Sequence, residues 1–219
     1  MPSTQTKMNQ KIEEYVKVVC MELYHQPIRP IPRTQRNASY SWTVFSLDAY
    51  THTSMSTRGR KYFDLFTDLG TRRIHPVFTK NRSAQELCQQ SRLLFLQHPD
   101  WTTTREQVRF IRLDSEFNYR SEEFLAFTSS IGYNLERTPV RDKHANGVAE
   151  RTVGLISAKT NVAMMAPNPH APQSYWDFAM AYACDTHSFN YSSVIGTSPY
   201  IKITGQPVDI KYQIGRAHV

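Results

Sequence analysis

Three acidic residues of this chain have the side chains and positions needed for metal-dependent phosphoryl transfer: Asp48, Asp114 and Glu150. Asp48 and Asp114 each close a short run with the alternation of a strand, and Glu150 lies near the start of a helix-like run. Carboxylate oxygens are the hard ligands that Mg²⁺ prefers. Two divalent cations about 3.5–4 Å apart can stabilise the attacking and leaving oxygens of an in-line displacement. The three acids therefore predict a two-metal site acting on a phosphodiester.

Other acids compete for these roles, because the chain has 19 Asp and Glu among 219 residues and some such triplet is expected by chance. The position of each acid at the end of an element carries the prediction. Asp64 and Asp68 lie on a hairpin and are interpreted as exposed strand residues, although either could substitute as a metal ligand. Asp142 is close to Glu150 but lies in a loop, which makes it a poorer fixed ligand.

Strands and helices that would position these acids alternate along the chain. Predicted strands cover residues 42–48, 61–68, 73–79, 108–114 and 133–138, the second and third forming a hairpin that turns at Gly70. Predicted helices cover residues 83–97, 122–131, 148–165 and 173–191. This order predicts an α/β fold in which a mixed five-stranded sheet has helices on both faces.

Two of these helices have faces that bear on function. In the helix of Glu150, one arc is suited to the core and a second continues from Glu150 through small or polar residues, which leaves room for a nucleic-acid backbone. That second arc is equally interpretable as a solvent face, with a carboxylate favoured by the helix dipole. The last helix is apolar nearly all round, so we expect it to be buried; its large residues are Trp176, Phe178, Met180 and Tyr182.

Composition points to a polyanionic partner. The net charge is +7 with a pI near 9.4, which favours nucleic acid ahead of a membrane surface. No stretch approaches 18 apolar residues, so no transmembrane helix is expected. Three scattered cysteines, Cys20, Cys88 and Cys184, fit free thiols in a reducing, intracellular location.

Short strings around Glu150 and beyond carry a family resemblance. Thr138-Pro139 followed by Asn146-Gly147-Val148-Ala149-Glu150-Arg151 resembles the T-P-x-x-N-G-V-A-E-R segment of copia-type retrotransposon integrase catalytic cores, with a few residues inserted. The other matching strings are Lys61-Tyr62-Phe63, Arg112-Leu113-Asp114, Trp176, Ala179, Asn190, Thr197-Ser198-Pro199-Tyr200 and Gly205-Gln206-Pro207. The resemblance runs from about residue 42 to the end.

Two departures from the family are visible. Ser115 and Glu116 follow Asp114 where the family has Asn-Gly, and Asn118-Tyr119 stands where it has Glu-Phe. Only Cys20 and His25 precede the core, so the four ligands of a structural zinc site are lacking and no zinc is predicted.

The resemblance implies an RNase H-like fold and polynucleotidyl transfer. Asp48 would bridge two Mg²⁺ or Mn²⁺ ions, Asp114 would complete one metal site and Glu150 the other. Water would be the nucleophile that trims a 3′ end, and a 3′-hydroxyl would be the nucleophile that joins this end to target DNA. The implied partners are double-stranded DNA, as element ends and target, and further copies of the chain in a homo-oligomer. The implied location is the nucleus, with a particle stage in the cytoplasm.

Predicted DNA contacts surround Glu150, where cations would neutralise phosphates. These residues are Arg141, Lys143, His144, Asn146 and Arg151. A solvated loop explains them equally well. The predicted organisation is an N-terminal extension at 1–40, a catalytic core at 41–205 and the start of a C-terminal extension at 206–219, as in a fragment of a polyprotein or a decayed copy.

Three alternatives stay open at this point. The first is a related transposase with the same three acids. The second is a catalytically dead or domesticated core that only binds DNA. The third is an RNase H nuclease, which needs a fourth carboxylate that the sequence does not place.

Overall fold

A five-stranded mixed sheet is at the centre of the part of the chain that the computed structural model describes, residues 44–99, 101, 109–113, 121–137, 147–166 and 170–208. All of these residues fall within one compact unit, Asn37–Val219. The strands are β1 (Val44–Thr51), β2 (Tyr62–Asp68), β3 (Ile74–Thr79), β4 (Phe110–Leu113) and β5 (Asn134–Arg137). Their order across the sheet is β3-β2-β1-β4-β5. β1, β2 and β3 pair antiparallel, whereas β4 pairs parallel to both β1 and β5.

Helices connect and cover these strands; four match the predicted helices, and α5 was not predicted. They are α1 (Ala84–Leu96), α2 (Glu122–Ser130), α3 (Gly147–Met165), α4 (Trp176–His187) and α5 (Pro199–Thr204), with a short 3₁₀ helix at Gln173–Tyr175. None of these described helices combines the length and the apolar character that a membrane crossing requires.

Local sequence explains where the helices begin and end. The Ser83 hydroxyl accepts a hydrogen bond from the Glu86 N–H and caps α1. The Ser121 hydroxyl caps α2 in the same way, through the Phe124 N–H. After α2 the chain reverses at Gly132, whose positive φ of 78° confirms the predicted stop.

Two hydrophobic clusters lie on opposite faces of the sheet. The first joins α1 and α2 to inward residues of β1 and β4, and Phe45 is at its centre, with ring contacts to Phe66, Phe95 and Trp101. The second joins α3 and α4 to β2 and β3; its members are Phe63, Leu65, Ile74, Val153, Ile156, Trp176, Met180, Ala183 and Cys184. The sheet is therefore covered on both faces, as predicted.

The β2–β3 hairpin is confirmed, but Gly70 is not the residue that adopts a left-handed backbone conformation in its turn. Arg72 has the positive φ, 64°, whereas Gly70 does not. The Asp68 carboxylate holds the turn, because it accepts hydrogen bonds from the Gly70 N–H (3.3 Å) and from the N–H (2.9 Å) and hydroxyl of Thr71. A buried carboxylate thus fixes a conformation that the glycine alone was expected to provide.

Two predictions about exposure were wrong. Asp64 is only 5% exposed because it lies on the face of the sheet that α1 covers. Asp68 is 0% exposed because it closes the hairpin turn. Helix α4, the last helix predicted from the sequence, is not buried all round. Trp176 and Met180 are buried, whereas Phe178 and Tyr182 are 47% and 42% exposed. This helix packs on α3 and β3 along one face only, so apolar content did not translate into complete burial.

Candidate active site

Strand β1 positions Asp48. Phe45 and Leu47 belong to the cluster beneath α1 and α2, so the alternating residues Ser46 and Asp48 face the side covered by α3 and α4. Asp48 is partly buried, and its Oδ1 accepts a hydrogen bond from the Ala49 N–H at 2.9 Å. A strand in the middle of the sheet therefore fixes the backbone of this carboxylate.

Asp48 does not close β1, contrary to the sequence prediction. The strand continues for three residues to Thr51, because Ala49, Tyr50 and Thr51 go on pairing with β2. Pairing with the other neighbour ends sooner: Leu47 opposite Leu113 is the last described pair between β1 and β4. Asp48 thus marks the level at which the described parallel pairing stops.

The second predicted aspartate follows the end of β4. Leu113 is the last residue of β4, and Asp114 follows it directly in the sequence. Asp114 lies outside the described residues. The two strands therefore bring together the residues that immediately precede the two predicted aspartates, Leu47 and Leu113.

Helix α3 positions Glu150 in its first turn. Ala149, Val153 and Ile156 are buried, and α3 packs on β1, β2 and α4. Glu150 is exposed, on the arc predicted to face away from the core. Within the described part of the chain, its carboxylate has no hydrogen-bond or ion-pair partner, and the helix dipole favours a negative charge at this end.

Of the competing acids, Asp142 lies outside the described residues and Asp64 is separated from Asp48 by the sheet. Asp64 lines a small cavity with Tyr62, Arg82 and Leu87, on the face of the sheet covered by α1. Asp48 faces the opposite side. Asp64 is therefore not placed to substitute for a ligand beside Asp48.

The donor chemistry of the described acids fits a hard divalent cation. Asp48 and Glu150 supply carboxylate oxygens on the same side of the sheet, one from a strand and one from a helix. Among the described residues no group of three His, Cys, Asp or Glu is close enough to hold a metal ion. The predicted ligand set has one member, Asp114, outside that part of the chain.

Of the five predicted DNA contacts, one is described. Arg151 is exposed in the first turns of α3, and its Nε donates a hydrogen bond to the Gly147 carbonyl at 2.7 Å. Arg141, Lys143, His144 and Asn146 lie outside the described residues. The prediction for these four residues stays a prediction.

Basic residues that the sequence did not single out are at the same end of the sheet as the C-terminal end of β1. Arg58, Arg60 and Lys61 lie in the connection from β1 to β2, and Lys80 lies between β3 and α1. The signal that could have found them is the presence of three cations within the four residues 58–61.

The interface of α3 with α4 contains one perturbed histidine. Lys159 Nζ lies 3.4 Å from His187 Nδ1. Burial, together with the smaller effect of the positive charge of Lys159, lowers the pKa of His187 to about 4. His187 is therefore neutral at pH 7 and supports packing between the two helices rather than adding positive charge.

A transposon-derived polyprotein is similar in sequence to part of this chain. No family model matches the chain. Over 130 residues, 59% of this chain, it is 30% identical to the Retrovirus-related Pol polyprotein from transposon TNT 1-94 of Nicotiana tabacum. The match spans 9% of that polyprotein, so the chain corresponds to a small part of this relative.

A solved structure shares the fold of this chain. A chain from the CryoEM structure of the simian T-cell lymphotropic virus intasome in complex with PP2A regulatory subunit B56 gamma matches with a TM-score of 0.63 and 15% identity. The match covers 84% of this chain and 62% of that chain. The sheet order β3-β2-β1-β4-β5 with helices on both faces is thus the RNase H-like fold, as predicted.

Proposed function

We propose that this chain is the catalytic core of a copia-type integrase. It would act as a metal-dependent polynucleotidyl transferase that processes the 3′ ends of retrotransposon DNA and joins them to target DNA. The observation that carries the proposal is the pairing of Leu47 with Leu113, each directly preceding a predicted aspartate, on a sheet whose α3 side presents Glu150.

The arrangement of β4 supports a role for Asp114. Ile111 and Leu113 belong to the cluster beneath α1 and α2, so continued alternation would turn the next side chain toward the face of Asp48. One peptide unit, about 3.8 Å between Cα atoms, separates Asp114 from Leu113. We therefore expect Asp48 and Asp114 to share one site.

Each carboxylate contributes differently to this site. Asp48 has a backbone fixed by strand pairing on both sides up to Leu47, which suits a ligand shared between two cations. Glu150 extends from an exposed helix turn and would close the site after DNA has bound. Cations held by these residues and Asp114 would lower the pKa of the attacking water or 3′-hydroxyl and offset the charge that develops on the phosphate. No protein nucleophile is needed.

The proposed partners follow from charge and from the relatives. A net charge of +7 suits double-stranded DNA, with Arg151 and the segment that contains Arg141, Lys143, His144 and Asn146 as contacts at the element end. The structural relative is part of an intasome, which makes assembly of several copies of this chain part of the proposal. The core would span residues 41–205 of the sequence.

A second candidate is a core of the same fold that binds DNA without catalysis. The observation favouring it is the altered sequence after Asp114, where Ser115, Glu116 and Asn118-Tyr119 replace the residues that copia-type cores carry. Both candidates predict DNA binding, so only a chemical assay separates them.

The test is reversal of strand joining on a branched oligonucleotide that mimics the joined product, with Mg²⁺ or Mn²⁺. We expect resolved product from the unmodified chain and a loss of about 10²–10³-fold or more in Asp48→Asn and Glu150→Gln, because each change removes a charged ligand from the site. Glu122→Gln is the matched control, since Glu122 is also an exposed glutamate in the first turn of a helix.

The outcomes separate the candidates. Activity in the unmodified chain and in Glu122→Gln, together with its loss in the two site variants, supports the transferase. Unchanged activity in Glu150→Gln would show that the site is assigned wrongly. DNA binding without any product, in excess metal and with the fold intact, would favour the non-catalytic core.

A further inference from the structure

A polar groove opens beside the N-terminus of α1. It is lined only by charged, amide and hydroxyl side chains, with a volume of about 440 Å³. Arg60 and Lys80 supply its cations, and Gln85, Gln89 and Gln90 supply amides that can donate or accept hydrogen bonds. Such side chains are typical contacts of phosphate and sugar groups.

The carboxylate in this groove is already neutralised. Glu86 Oε1 lies 3.1 Å from Arg60 Nη1 and accepts a hydrogen bond from the Lys80 N–H at 2.8 Å, and its other oxygen accepts one from the Asn81 N–H at 3.0 Å. Glu86 thus fixes the connection between β3 and α1. Its charge adds little repulsion against an incoming anion.

Two neighbouring lysines, Lys80 in the groove lining and Lys61 outside it, carry charges that no ion pair among the described residues compensates. The Lys61 N–H donates to the carbonyl of Thr79, the residue before Lys80, so the two lysine backbones are neighbours at the end of the β2–β3 pair. Neither ammonium group forms an ion pair within the described part of the chain. An anion close to both lysines would offset their positive charges.

We infer that Lys61, Lys80 and the amide-lined groove bind the phosphodiester backbone of duplex DNA that extends from the catalytic site. The orientation of the DNA rests on the proposed function, whereas the binding itself does not. Contacts of this kind would add affinity and register without reading sequence.

The sheet register gives the distance between the two lysines and Asp48. Asp48 pairs with Leu65, which pairs with Pro76, so these three residues form a row across β1, β2 and β3. Lys61 and Lys80 are each four residues beyond this row toward the same end of the sheet. With about 3.3 Å per residue along a strand and about 4.8 Å between strands, their Cα atoms lie about 14–16 Å from that of Asp48. At 3.4 Å per base pair, the contacted phosphates lie about four to five base pairs from the reacting one.

The first experiment measures duplex binding against salt concentration, with the full chain carrying Glu150→Gln to prevent turnover. Lys61→Gln combined with Lys80→Gln should reduce the slope of log K against log salt by about 1.8, because each lost phosphate contact contributes about 0.9. The affinity difference between the parent and this double variant should therefore shrink about 12-fold between 50 and 200 mM salt. Each single variant should show about half of the change in slope.

The control removes the same net charge elsewhere. Arg92→Gln combined with Lys202→Gln alters two exposed cations on α1 and α5, away from the groove lining. A reduction in slope equal to that of the groove variant would show that only net charge matters, and would overturn the inference.

A second experiment locates the contact on the DNA. Uncharged methylphosphonates are placed four to five base pairs from the junction of the branched oligonucleotide, in the element-end arm or in the target arm. Methylphosphonates in one of the two arms should weaken DNA binding by the parent chain, and those in the other arm should not. In either arm they should leave DNA binding by the Lys61→Gln and Lys80→Gln double variant unchanged. The sensitive arm identifies which DNA occupies the groove. Equal sensitivity of the parent and the double variant in both arms would overturn the inference.

Failure of this inference is distinct from failure of the proposed function. An unchanged salt slope, with product still formed by the chain that retains Glu150, would reject the groove and leave the transferase standing. A reduced slope without product in any metal would support the groove and reject catalysis.

Discussion

The ion pair between Arg58 and Asp177 fastens the β1–β2 connection to α4. Arg58 Nε lies 2.7 Å from Asp177 Oδ2; the Asp177 side chain is fully buried and that of Arg58 is 45% exposed. The guanidinium also lies 4.1 Å from the centre of the Phe178 ring. Arg58→Met keeps an unbranched apolar side chain on this ring but removes the charge, so Asp177 is left buried without its ion partner.

The expected cost combines two contributions. A hydrogen bond to a charged group contributes about 1.5–3 kcal/mol, and removing one partner of a fully buried pair costs about 3–5 kcal/mol. The half-exposed guanidinium is partly screened by water, which favours the lower end of these ranges. Loss of the cation–π contact adds about 0.5–1 kcal/mol. We therefore expect Arg58→Met to lower the free energy of unfolding by about 2–3 kcal/mol, or Tm by about 5–10 °C.

Urea unfolding followed by circular dichroism measures this change. Arg92→Met is the matched control, because Arg92 is exposed and lies over the Phe127 ring at 5.8 Å without an ion pair among the described residues. It should cost less than about 1 kcal/mol. Combining Arg58→Met with Asp177→Leu should recover part of the loss, since no buried charge is then left unpaired. Equal destabilisation by Arg58→Met and Arg92→Met, within about 0.5 kcal/mol, would refute the reasoning.

Two further predictions concern titratable groups near α4. The pKa of His187 is about 4 in the folded chain against 6.5 for the ordinary side chain, so the unfolded state binds more protons between these values and stability falls as pH is lowered through them. Allowing for partial exposure, His187→Gln should reduce the loss of unfolding free energy between pH 7 and pH 5 by about 1–2 kcal/mol in urea titrations; the same loss as in the parent chain would refute this. Burial raises the pKa of the Cys184 thiol above its usual range, so under native conditions iodoacetamide should label Cys88 before Cys184, as mass spectrometry of the peptides would show. Faster labelling of Cys184 would contradict its burial.

The fold was largely predictable because its signals are local. The period-two alternation around Phe45 and Leu47 and the Ser83 cap each depend on a few adjacent residues. These signals gave the five strands, their helices and the cover on both faces. The family resemblance supplied the RNase H-like topology, which alternation alone does not determine.

The wrong predictions concern strand ends and side-chain exposure that contacts between distant parts of the sequence determine. β1 continues past Asp48 because β2 offers partners for Ala49 to Thr51, which only the sheet register reveals. Asp64 and Asp68 are buried because neighbouring elements cover them. Phe178 is exposed because its helix packs along the opposite face. Its ring contacts the Arg58 guanidinium instead of the core. Of the candidate site, Asp48 and Glu150 are described, and Asp114 lies outside the described residues.

The parallel pairing of β1 with β4 also has a consequence for folding. The β1–β2–β3 hairpins close loops of about ten residues or fewer, whereas pairing Leu47 with Leu113 joins segments about 65 residues apart, at an additional loop-closure cost of about 1.7 kcal/mol. The antiparallel part of the sheet can therefore form while the pairing of Leu47 with Leu113 is still open. Under the proposed function, a destabilised variant would lose activity before its hairpins melt, so activity would report the integrity of this long-range pairing more directly than secondary-structure content does.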